Sequence, residues 1–197
     1  DLAFFFNAID PREMCVEDPM VPPLAVAPMR ALDQIKGLRV GYFVDDGLVK
    51  PSIAVGRAVG EAARTLEGLG CAVVPFCPPN IRDAIGIYFA TLSSDGGETA
   101  FAQLNGSAME PTLAPLRRAA TLPGPLRDAL ETTLRSLGEE RAAWLLGQIS
   151  PKSVATLWKL TKRARDYRLA LIDQMARDRI DVLLCPVHAT PAVPHTL

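Results

Sequence analysis

The stretch from Gly37 to Phe76, GLRVGYFVDDGLVKPSIAVGRAVGEAARTLEGLGCAVVPF, constrains the fold most, because forty residues spell a strand, a helix and a strand. Leu38, Val40 and Tyr42 alternate with Arg39, Gly41 and Phe43 in a short β-rich run, and Cys71 to Phe76 is a second, nearly continuous apolar run. Both read as buried strands. Between them Ile53, Val55, Val59, Ala62, Ala63, Leu66 and Leu69 recur mostly three and four apart, which lays one apolar stripe along a helix. Ser52, just after Pro51, is placed to cap that helix. Gly68 and Gly70 end it and turn the chain back, so the two strands are expected to lie parallel with a right-handed crossover. The cradle is an α/β layer.

Such a layer hosts many chemistries, so function must come from sites. The tight glycines Gly68 and Gly70 precede a strand, whereas a dinucleotide-binding GxGxxG follows one and opens a helix; no GxxxxGK[ST] run is present either. The 197 residues are enough for one domain that buries roughly 70% of its unfolded surface. With 22% charged residues and a net charge of −1, the chain carries no electrostatic footprint for nucleic acid, and DNA or RNA partners are not expected. Cys15, Cys71, Cys77 and Cys185 are too few and too apolar in context for a disulfide framework, which makes a cytoplasmic protein the expectation. No apolar run approaches the roughly 18 residues of a transmembrane segment, and no signal peptide is visible, so a soluble chain is expected.

Four segments follow along the chain. Residues 1–36 read as a helix remnant at Asp1–Ile9, starting inside an apolar pattern as in an internal piece of a longer chain, followed by an extended, proline-rich strap. Residues 37–76 are the strand, helix, strand unit. Residues 77–150 hold cleft and lid helices. A helix from Ile81 offers Ala84, Ile85, Tyr88, Phe89 and Leu92 as an apolar face for packing on the sheet. Ser94-Asp95-Gly96-Gly97 interrupts it, since two adjacent glycines inside a helix cost about 2 kcal/mol relative to alanine. Leu116–Leu145 then reads as a helix-turn-helix lid around Leu122-Pro123-Gly124-Pro125. Residues 151–197 hold a long helix from Ser153 to about Asp178, striped by Leu157, Leu160, Ala164, Tyr167, Leu171 and Met175, then a third buried strand, Ile180–Cys185, and a loop with His188 and His195.

Local chemistry is weak. Cys185 and His188 form C-P-V-H, but a structural metal site needs two tight ligand pairs, and thiols in strands behave as small hydrophobes. A residue three positions along an extended segment points away, which argues against Cys185 as a nucleophile with His188 as its base. Ser94, Asp95 and His188 could be assembled into a triad, yet no GxSxG elbow supports one. The plainer role of Ser94-Asp95 is to tie the backbone at the helix break.

Taken together, GLRVGYFVDDGLVKPSIAVGRAV, SSDGGETAF, PKSVATLWKLTKRARDYR and IDVLLCPVHATPAVPH resemble, in order, the carboxyl-terminal part of the amidase signature family, in its fatty acid amide hydrolase-like branch. The resemblance implies a mixed sheet surrounded by helices, present here as a partial α/β domain, and hydrolysis of carboxamides by a serine nucleophile without a cofactor. The family's Ser, cis-Ser and Lys catalytic set has no counterpart here: there is no Gly-Gly-Ser-Ser-type run, and Lys36, Lys50, Lys152, Lys159 and Lys162 lie outside the family's motif. That set is expected upstream of Asp1, leaving this part inert alone. The resemblance puts Tyr88, Phe89, Leu92, Ser94, Asp95, Gly96, Gly97 and Phe101 at the border of the substrate cleft, with a small-molecule amide as partner and a homodimer left open. The segment Leu116–Leu137 matches by order the membrane cap of the branch. Its six charges, Arg117, Arg118, Arg127, Asp128, Glu131 and Arg135, would each cost about 2.5 to 3.5 kcal/mol at bilayer depth, so peripheral membrane contact is the most expected of it. The alternative reading is a non-catalytic α/β binding or scaffold module of an amidotransferase-like assembly.

Overall fold

The computed structural model describes residues 4–5, 8–9, 11–23, 32–109 and 111–192. Most of the expected helix remnant at 1–9, part of the strap at 24–31 and the tail with His195 lie outside them. Within the strap, Pro11–Glu17 is a helix, α1, and not extended chain. Pro11 is its first residue, where a missing N–H costs nothing.

The central unit follows the periodicity. Strand β1 is Arg39–Tyr42, helix α2 is Ile53–Gly68 and strand β2 is Ala72–Pro75. Ser52 caps α2, its hydroxyl accepting the Val55 N–H, and Gly70 takes φ +86 in the return turn. Strand β3, Val182–Leu184, lies on the other side of β1, giving the order β2-β1-β3 with both pairs parallel. Among the described residues only β1 is a buried strand, with Val40 2% exposed. β2 and β3 are the two edges, and Val182 is 45% exposed, so the expectation of three buried strands is corrected. Each edge has one strand neighbour; Pro75, which has no N–H to donate, is placed on one of them.

The sheet is pinned at Arg39. Its N–H donates to Asp181 Oδ2 at 2.7 Å, its Nε to the Asp178 carbonyl at 2.9 Å, and its own carbonyl accepts the Asp181 N–H at 2.9 Å. Gly41 lies at the tightest point: a Cβ there would sit 3.0 Å from Leu183 Cδ2 and from Phe76 Cβ.

The remaining helices are α3 (Ile81–Leu92), α4 (Glu98–Ala102), α5 (Ala114–Thr121), α6 (Gly124–Ser136), α7 (Glu140–Gln148) and α8 (Val154–Arg177). The expected lid is thus three helices, because Gly138, at φ +81, makes a second turn between α6 and α7. The packing of α3 differs from expectation. Its buried residues are Gly86, Ile87 and Ala90, and it packs mainly on α7 and α8. Gly86 lies at this contact, where a Cβ would meet Trp144 Cζ2 at 3.4 Å, an ordinary van der Waals distance. Ser153 caps α8 through the Thr156 N–H, and the expected stripe faces inward along it, with Leu160 fully buried.

Candidate functional site

The eight residues expected at a substrate cleft fall in three neighbouring places. Tyr88 and Leu92, one turn apart on α3, are 58% and 56% exposed and line a groove of about 390 Å³ between α3 and α8. Ala84, Ile87 and Ala164 make its apolar walls, and Thr91, Tyr167 and Arg168 supply its polar atoms. Burial, followed by the nearby Asp83 carboxylate, pushes the Tyr167 phenol up from its ordinary range. Across the helix pair, Arg163 forms an ion pair with Asp83 that ties α8 to the first turn of α3.

Phe89 is one position round the helix from Tyr88 and faces a different space. With Ile85 it lines a crevice of about 490 Å³, whose other walls are Phe43, Val44, Asp46, Leu48, Val49 and Pro51 after β1, and Pro186 to Ala189 after β3. The strand order reverses at β1, so this crevice occupies the place outside the carboxyl ends of parallel strands where ligands are usually held. Tyr88 and Phe89 meet edge to face with centroids 5.2 Å apart, joining the two spaces across α3. His188 is a crevice residue that local motif reading set aside. The signal that finds it is topological: it follows the strand beside the switch point.

The Ser94–Gly97 break is the third place. Asp95 Oδ1 accepts the Gly97 N–H at 2.7 Å and Oδ2 accepts the Thr99 N–H at 2.8 Å, the tying role expected of it. The Thr99 hydroxyl and N–H, then the Gly97 N–H, hold its carboxyl below the usual carboxylate range. Gly96 and Gly97 take φ +74 and +85, and a Cβ on Gly97 would strike the Phe101 ring at 2.7 Å. Phe101 therefore folds back over the break, with the Arg117 guanidinium 5.1 Å from its ring centroid. Ser93, missed by sequence reasoning, is buried here; its hydroxyl donates to the Phe89 carbonyl at 2.7 Å and accepts the Ser150 N–H at 3.2 Å.

The geometry of Asp95 and His188 bears on the triad alternative. Asp95 is engaged within its loop, and His188 Nδ1 is turned to Thr190, 3.1 Å from its hydroxyl oxygen, so neither is free for a triad with Ser94. Among the described residues no three His, Cys, Asp or Glu side chains converge as a metal site would require. None of the described helices is long and apolar enough to cross a membrane.

Known proteins are similar to this chain in sequence and in fold. A pig protein, fatty-acid amide hydrolase 1, is 33% identical over 208 residues, covering 100% of this chain and 36% of its own length. Fatty acid amide hydrolase 1 of Caenorhabditis elegans is 32% identical over 82% of this chain and 28% of its own length. The chain thus spans about a third of the length of these relatives. A solved structure of a fatty acid amide hydrolase superposes with a TM-score of 0.58 at 22% identity, over 93% of this chain and 28% of that one, and so shares the fold. The model of the family described as Amidase matches residues 1–197, so the chain belongs to the amidase family.

Proposed function

We propose that this chain is the substrate-side and scaffold part of an amidase that hydrolyses carboxamides through a serine nucleophile, the catalytic serines and lysine lying upstream of Asp1. Family membership supports amide hydrolysis, and the absence of a Gly-Gly-Ser-Ser-type run in these 197 residues motivates the upstream placement. By role, 1–36 straps the unit, 37–76 extends the sheet, 77–150 forms cleft and lid, and 151–197 supplies the long helix that walls the cleft opposite α3, with the final strand and its loop. The substrate is a small amide with an apolar acyl group, bordered by Tyr88, Phe89, Leu92, Ser94–Gly97 and Phe101.

The observation that carries this is the α3–α8 groove: apolar, with polar side chains at Thr91, Tyr167 and Arg168, which suits an alkyl chain ending in a carbonyl. The chemistry requires no cofactor, and the free thiols Cys71, Cys77 and Cys185 suit the reducing cytoplasm.

The test uses the full-length protein. A serine-directed fluorophosphonate is expected to label it, and Leu92→Trp, which narrows the groove, is expected to lower kcat/KM about tenfold for a decanoyl amide relative to an acetyl amide. Absence of labelling would sink the serine mechanism, and equal effects on both amides would sink the acyl groove.

A further inference from the structure

The turn between α7 and α8, residues 149–153, grips the helix break at three points. The Ser150 N–H donates to Ser93 Oγ at 3.2 Å, the Lys152 N–H donates to the Ser94 carbonyl at 2.7 Å, and Pro151 Cγ lies 3.3 Å from where a Gly96 Cβ would stand. Some 57 residues separate the two segments, and no local motif links them. The turn in turn is held by one side chain. Lys152 Nζ donates to the Gln148 carbonyl at 2.8 Å, to the Ser150 carbonyl at 3.0 Å and to the Ser150 hydroxyl.

These three contacts use all the donors an ammonium has. Gln148 is the last residue of α7, so the cation sits on one of the carbonyls that a helix end leaves open and against the negative end of its dipole. Among the described residues no carboxylate forms an ion pair with Lys152. Burial, then the Arg127 guanidinium, lowers its pKa from the ordinary lysine range. A lysine that only needed solvation would extend into water. This one is folded back to close a turn.

We propose that Lys152 is a positioning residue for substrate selection: by closing the α7–α8 turn on the Ser93–Gly97 break, it fixes the carboxyl end of α3, and hence Leu92 and Tyr88, against α8. The role rests on reading the α3–α8 groove as the acyl subsite. Ser93 transmits the hold, because the hydroxyl that receives the turn also donates to Phe89 in the last turn of α3. Without the ammonium, the Gln148 and Ser150 carbonyls lose their donor, the turn loosens, and the width of the groove is no longer set. The reacting atoms, which lie elsewhere, are untouched.

The experiment compares wild-type, Lys152→Met and Lys152→Arg full-length protein on decanoyl and acetyl p-nitroanilides. Lys152→Met is expected to raise KM for the decanoyl substrate about tenfold, with kcat and the acetyl KM within about twofold, because binding geometry and not chemistry is lost. Lys152→Arg, which can donate to the same carbonyls, is expected to restore the decanoyl KM. Hydrogen exchange of the Ser150 and Lys152 amides is expected to quicken in the Met variant. Should that variant fail to fold, Ser93→Ala breaks the same hold from the other side and carries the same KM expectation. Equal effects on both substrates, failure of Arg to rescue, or unchanged exchange in an active enzyme overturns the role alone. A wild-type protein that hydrolyses neither amide overturns the subsite reading and the role with it.

Discussion

Asp95 acts within five residues of itself. Its two oxygens hold the Gly97 and Thr99 N–H groups, and the turn they close lets Gly96 and Gly97 adopt positive φ. Because its carboxyl is held below the ordinary 3.8, the folded chain binds fewer protons than the unfolded one in acid. The stabilisation is therefore full above that ordinary value and is lost as pH falls through the folded value. Asp95→Asn is expected to lower the urea midpoint of the full-length protein at about pH 7, with the gap to wild type narrowing as the pH is lowered past 3.8. A gap of constant size across that range would show that the charge contributes nothing. Ser52 and Asp95 were legible in the sequence, since each bonds a group within four residues. Ser93 and Lys152 were not. The bonds that join them, from the Ser150 N–H to Ser93 Oγ and from the Lys152 N–H to the Ser94 carbonyl, cross between distant segments, and a serine beside a helix break or a lysine after a proline looks like ordinary surface until the fold brings the two together.

At the scale of elements, the period of apolar residues located α2, α3, α8 and all three strands, but not which side of α3 is covered. Ala84, Ile85, Tyr88, Phe89 and Leu92 span a wide apolar arc that fits more than one packing direction. The covered side is Gly86, Ile87 and Ala90, packed on α7 and α8, while Tyr88 and Leu92 are left lining an open groove. The edge character of β2 and β3 was equally hidden, since an apolar run reads alike at the centre and edge of a sheet. Gly41 is where the sheet tolerates least. A side chain there meets Leu183, Phe76 and Ile180 at 3.0 to 3.1 Å, from the neighbouring strand and from the residues flanking both edge strands. Backbone strain is not the issue, as Gly41 has no positive φ. Overpacking of this kind costs about 1 to 3 kcal/mol, so Gly41→Val is expected to lower the unfolding free energy by about that amount with an unchanged denaturant slope. A loss below about 0.5 kcal/mol would mean that the strands part easily at this point.

Over the whole molecule, α8 carries two apolar stripes. Leu157, Leu160, Ala164, Tyr167 and Leu171 face inward, whereas Val154, Trp158, Leu169 and Ile172 share a second face by the 100° step of the helix and are open to solvent, Trp158 by 70%. The sheet is also open at Val182. Val154 with Trp158 and Leu169 with Ile172 make two exposed apolar patches on that face of α8, separated by Arg165, and exposed apolar patches mark places where something else docks. The chain spans about a third of the length of its amidase relatives, which makes the rest of an amidase domain the natural cover. The 197 residues expressed alone are therefore expected to bind a hydrophobic dye and to unfold over a broad range, while the full-length protein binds little dye and unfolds cooperatively. The difference in emission between each protein and its Trp158→Phe variant isolates the Trp158 signal, which reports on the stripe directly. Its emission is expected to lie to the red and to be quenched by iodide in the isolated chain, and to shift blue and resist iodide in the full-length protein. Equal quenching in both would show that the stripe stays uncovered, and the docking of the amidase remainder on this face of α8 would have to be given up.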